Sequence, residues 1–149
     1  MDSPLALPAG SRPLAQSRRN LLMDARWEDA VRRGDVEAVQ AQLRAGADVN
    51  ARGRHGQTAL MLAAHRGYDA LVETLVAHGA ELNVTAKYHL SALMLAVIAG
   101  HIDIARLLVR AGADQSIRGS GAPGFAGQTA SDLAAARGMP ALYDELAPE

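Results

Sequence analysis

The sequence predicts an all-α protein, a solenoid of paired short helices, and three observations carry that prediction. The string TALMLAAHRG, Thr58 to Gly67, returns as SALMLAVIAG, Ser91 to Gly100, and in eroded form as TASDLAAARG, Thr129 to Gly138. Gly34, Gly67 and Gly100 stand 33 residues apart, as do Gly46, Gly79 and Gly112, whereas Gly100 to Gly138 is 38. Between these glycines apolar residues recur at helical spacing in two short runs per unit. A fixed period of this size marks a repeat architecture, in which units too small to bury their own apolar faces stack on one another.

The elements follow in order. Residues 1–20, rich in Pro, Ser, Ala and Arg without periodicity, are expected to form a flexible N-terminal segment. In the first unit, helices are predicted over 24–33 and 36–45, the second carrying Val36, Val39 and Leu43 on one stripe. In the second, Thr58 caps a helix over 58–65 whose apolar face is Leu60, Leu62 and Ala63, and Gly67 stops it. Leu71, Val72, Leu75 and Val76 then mark a helix over 69–77. The third unit repeats this over 91–98 and 102–110, with Ile104, Leu107 and Leu108. The run GSGAPG, Gly119 to Gly124, opens the five-residue excess and predicts a longer, more mobile loop, with Phe125 either displayed at its tip as a partner anchor or, the favoured reading, folded back to cover the core of the last unit. Helices over 129–136 and 139–146 complete the fourth unit, whose Ser131 and Glu145 suit a polar end cap. Only 3% of residues are aromatic, so the core must be Ala, Leu and Val. Leu60, Leu62, Ala63, Leu71, Leu75, Leu93, Leu95, Ala96, Ile104, Leu107 and Leu108 are expected inside it.

At this point the chain resembles the ankyrin repeats. Their pattern, G-x-T-P-L-H-x-A-A-x-x-G followed by a second helix and G-A-D/N-x-N, is similar to GQTALMLAAHRG with GAELN, and to HLSALMLAVIAG with GADQS. WEDAVRRGDVEAVQAQLRAGADVN and GQTASDLAAARGMPALYDEL supply a first and a last unit. The resemblance spans most of the chain and implies a repeat domain over 21–149, divided near 21–53, 54–86, 87–118 and 119–149. It also implies a short β-hairpin finger before each helix pair. The sequence departs from the family in places. Ala59, Ala92 and Ala130 replace its proline, Met61, Met94 and Asp132 replace its histidine, and Trp27 replaces a leucine. His89 stands where the tight-turn glycine belongs, which leaves the third finger's turn type open.

Composition excludes several function classes. There is no cysteine, hence no disulfide, thiolate metal site or cysteine nucleophile. No apolar run is long enough to span a membrane, and the N-terminus lacks the basic start and apolar stretch of a secretory signal, so a cytoplasmic location is expected. No enzyme is expected either. His55, His65, His78, His89 and His101 form no H-E-x-x-H pair, and GSGAPG lacks the lysine of a phosphate loop. Asp144 and Glu145 read as a solvated pair, and Asp132 as a helix cap. Neither a cofactor nor a metal is expected.

What remains is surface recognition. In ankyrin-like solenoids the finger tips and the free face of each first helix line the concave side. Carried over by position, this selects Arg32 and Arg33, then Arg54, His55, Gln57, His65 and Arg66. It continues with Lys87, Tyr88, Leu90, Ile98 and Ala99, and ends with Phe125, Gln128 and Arg137. The set contains Arg, Lys and His but no acid, although net charge is −1. The acids fall on Glu37, Asp69, Glu73, Asp103, Asp144 and Glu145, mostly in second helices. Charge sorted by face concentrates partners of the opposite sign. The expectation is a monomeric, non-catalytic protein-interaction module that grips an acidic protein partner, in the manner of an inhibitor or immunity-type protein. The alternative is a nucleic-acid-binding repeat protein using the same basic face; near-neutral charge and the lack of a basic helix disfavour it. No membrane partner is expected.

Overall fold

The computed structural model describes residues 24–53, 55–121 and 123–146, so the expectation for residues 1–20 lies outside it. Eight α-helices form among the described residues: α1 (Ala25–Arg33), α2 (Val36–Arg44), α3 (Ala59–Arg66), α4 (Asp69–Ala77), α5 (Ala92–Ala99), α6 (Ile102–Arg110), α7 (Ala130–Ala136) and α8 (Pro140–Leu146). They alternate as four pairs in the register set by the glycines. Five starts are capped by side chains: Asp24, Asp35, Thr58, Ser91 and Thr129 each accept a backbone N–H of the first turn. At α7 the Asp132 carboxylate also accepts the Thr129 N–H, closing a capping box.

The odd helices form one row and the even helices another. The first-helix row, α1–α3–α5–α7, is packed more closely than α2–α4–α6–α8. A stack whose one side is tighter curves towards that side, which puts the first helices and their fingers on the concave face. No regular strand forms among the described residues. The fingers are turns closed by a backbone bond, Gly53 N–H to the Gln57 carbonyl (2.7 Å) and Ala86 N–H to the Leu90 carbonyl (3.2 Å). In the fourth finger an isolated bridge joins Gly119 and Ala126.

The core runs continuously from Trp27 to Leu146. Met61 and Met94, each 1% exposed, lie fully inside it, so the family's polar histidine position has become part of the apolar interior. Two expectations need correction. Leu95 and Leu107 are half-buried rather than core. α5, ALMLAVIA, has no polar residue, so its sequence offers no stripe by which to tell the inward from the outward face. Leu107 lines a cleft of about 370 Å³ with Asp69, Glu73 and Arg110, where the looser second-helix row leaves α4 and α6 apart.

Successive units are locked by bonds that span about one repeat. The Tyr68 hydroxyl donates to the Arg32 carbonyl (2.8 Å), and His101 Nε2 donates to the His65 carbonyl (3.1 Å). Each satisfies a carbonyl left open at the end of a first helix. Asn50 and Asn83 accept the backbone N–H of Glu81 and Asp114, both at 2.7 Å. At the equivalent position in the third unit, Ser116 turns instead to Asp114, and with the Ser116 N–H holds that carboxyl below its ordinary value.

Candidate functional site

The fingers and first helices of the second to fourth units carry bases and, apart from Asp132 in the first turn of α7, no acid. Between residues 51 and 131 the acids are Asp69, Glu73, Glu81, Asp103 and Asp114. Every one lies in α4, in α6 or in the loop just after them. The intervening stretches, 51–68, 84–102 and 115–131, hold no carboxylate, but they hold Arg52, His55, His65, Arg66, Lys87 and Arg118.

The first unit differs. Arg32 pairs with Glu28 (2.6 Å), and Arg33 pairs with Asp29 (2.8 Å) and Asp35 (3.3 Å). Asp29, by hydrogen bond and charge, raises the Arg33 guanidinium further above its ordinary value. Both arginines, expected to carry the basic face, therefore meet their counter-charge on the same element. His55, His65, Arg66, Lys87 and Arg137 are exposed, while Gln57 and Ile98 are half-buried. Arg54 lies outside the described residues. Leu90 is a correction: at 5% exposure it is a core residue at the base of the third finger, because the turn closing on Ala86 draws it under Tyr88.

The third finger solves the missing glycine by an uncommon route. Tyr88 and His89 both adopt left-handed backbone, φ 60° and 57°, a conformation that costs a residue with a Cβ about 1–2 kcal/mol. The fourth finger holds them there. The Ser120 N–H donates to the Tyr88 carbonyl (2.8 Å), His89 Nδ1 donates to the Arg118 carbonyl (2.8 Å), and the Phe125 ring sits 5.6 Å from the Tyr88 ring. Lys87 Nζ lies 4.9 Å from the same ring. Phe125, half-buried, thus covers the neighbouring finger as well as packing on the core. The long loop is internally tied, with Arg118 Nη1 donating to the Gly127 carbonyl (2.7 Å).

A family model for ankyrin repeats, in three copies, matches residues 27–118, more than half of the chain. The chain belongs to the ankyrin repeat family. No curated protein matches it. Ankyrin repeats generally mediate protein–protein interaction, and the family is typically non-catalytic. The fourth helix pair, α7 and α8, lies beyond the matched span yet packs in the same register against α5 and α6.

Within this ankyrin stack several residues escaped the sequence reading. Arg52 spans two fingers, donating to the Gly56 carbonyl (3.1 Å) and to the Thr85 carbonyl (2.6 Å). Its signal was available, since the two fingers are one period apart. Leu95 belongs to the concave face with Ile98 and Ala99, all three half-buried. No equivalent signal marked it, for the reason given by the composition of α5. Among the described residues no three His, Asp or Glu side chains cluster to hold a metal ion, and no helix is long and apolar enough to cross a membrane.

Proposed function

We propose that this ankyrin repeat protein grips an acidic protein surface through the concave side of its second to fourth units. The observation that supports this reading is the partition of acids between residues 51 and 131, with every carboxylate in a second helix or the loop after it and none beside the exposed His65, Arg66 and Lys87. Because Arg32 and Arg33 are already paired, the binding charge is carried by His65, Arg66, Lys87 and their neighbours rather than by α1. Blocking an active or toxic surface, as an inhibitor or immunity-type protein does, is the form of action that such a module suits.

The test is affinity capture with the immobilised chain, followed by the same capture with two variants. Arg66→Glu should lose an acidic partner, and Glu73→Ala, on the opposite side, should retain it. Rim charges act mainly on association, so Arg66→Glu should also flatten the salt dependence of the on-rate. Loss of capture with Glu73→Ala but not Arg66→Glu would place the site on the wrong face. A salt titration with nonspecific DNA addresses the alternative, since phosphate binding falls steeply with salt; tight, salt-steep DNA binding lost in Arg66→Glu would favour nucleic acid.

A further inference from the structure

The tip of the third finger is built against its own sequence. Tyr88 and His89 are the central residues of a turn from Lys87 to Leu90, and both are left-handed, φ 60° and 57°. A turn with two such centres is type I′, which favours Asn and Gly. Here the next finger supplies the support, through the bonds made by Ser120 and His89 and through the Phe125 ring. That finger is in turn closed at Gly119, whose N–H donates to the Gln128 carbonyl and whose carbonyl accepts the Gly127 N–H, both at 2.9 Å. Gly119 is buried, its backbone is not left-handed, and an added Cβ would collide with the Phe125 carbonyl. Glycine is needed there for space alone.

What this lock fixes is a cation. Lys87 is exposed, yet its Nζ lies 4.9 Å from the centre of the Tyr88 ring. An ammonium and an aromatic face attract within about 6 Å. A free lysine has a flexible stem and loses that freedom when it meets a partner, whereas one already fixed over a ring has less to lose. His65 and Arg66 take their places from α3. Lys87 takes its place from a turn that the fourth finger holds. Resting on the reading of the concave side as the partner site, we infer that the long fourth finger, closed at Gly119, is a positioning device. It fixes Lys87 and the Tyr88 ring for the partner by way of the turn, without touching the partner itself.

The lock is read first without a partner. In the wild-type chain the Tyr88 ring should shift the Lys87 ε-methylene protons upfield in NMR spectra. Gly119→Ala, shown by circular dichroism to keep the helices, should abolish that shift, and Phe125→Ala, which introduces no backbone clash, should reduce it. His89→Gly supplies a left-handed residue at no steric cost, so adding it to Gly119→Ala should recover most of the shift. Binding is then measured by anisotropy with fluorescein-labelled acidic dodecapeptides, chosen by panning a random display library on the full wild-type chain and by loss of binding to Lys87→Ala. Gly119→Ala should weaken these about tenfold, the freedom of one long side chain, but at most about twofold once His89→Gly is present. A loss equal in both backgrounds overturns the inference, because the fourth finger then acts by direct contact, and so does no loss in either. An unmoved Lys87 signal in Gly119→Ala overturns it too, as does a selection that yields no Lys87-dependent peptide, an empty one included. If the selected peptides still depend on Arg66, only this inference fails; if they ignore Arg66 as well, the concave reading fails with it.

Discussion

At Gly67 two requirements meet in one residue. Its φ is 82°, and a Cβ there would lie 2.7 Å from the His101 ring, which reaches back to the His65 carbonyl. Gly79 has nearly the same φ, 83°, with open space around the missing Cβ. Gly79→Ala should therefore show the backbone penalty alone, about 1–2 kcal/mol, and Gly67→Ala should lose clearly more, as measured by urea midpoints. Equal losses would mean that His101 moves aside at no cost. A second test concerns Asp114, whose carboxyl is held low by the Ser116 hydroxyl and N–H. A lowered folded-state value contributes stability above the unfolded carboxylate value and loses it as pH falls through the folded one. Ser116→Ala should accordingly make the fall in stability on acidification shallower over that window, with Asp103, exposed on α6, as the control position.

Among the helices, α5 is the one whose composition hides its orientation. Leu93 and Leu95 are two residues apart in the same apolar run, yet Leu93 is sealed in the core and Leu95 is half-exposed. Leu93→Ala should cost about 2–5 kcal/mol, the range for a buried leucine, and Leu95→Ala distinctly less; equal costs would contradict the helix rotation. The helices with polar residues were legible in advance. α3 begins at the expected Thr58 cap, and the expected capping role of Asp132 is realised together with Thr129, so Thr129→Ala should remove about 1 kcal/mol with its capping box. Leu90 could not be placed in the same way. It sits in a turn, where no periodicity constrains the side chain, and only the closure of Ala86 on the Leu90 carbonyl draws it inside.

Across the whole molecule the first-helix row is one uninterrupted core, and it predicts coupled unfolding. Trp27, the one tryptophan, is 2% exposed on α1, at the opposite end of the stack from Leu133 on α7. Trp27 fluorescence and far-ultraviolet circular dichroism should report the same urea midpoint. Leu133→Ala should lower both equally, because interfaces between neighbours transmit the loss along the row. If only the circular dichroism midpoint moved, the end unit would be unfolding independently.

The sequence by itself determined the repeat period, the eight helix positions to within a residue or two, and the placing of the inner units' acids in or just after the second helices. These are local properties: a glycine, a capping hydroxyl or an apolar stripe acts through neighbours a few residues away. Tertiary structure decided which apolar residues are exposed. Leu90 was drawn into the core, and Leu95 was turned out to the concave face. The left-handed turn at Tyr88 and His89 likewise exists only because a finger some thirty residues later supplies the bonds that hold it. Helix rotation and turn strain are settled by packing between units, which a one-dimensional pattern does not contain.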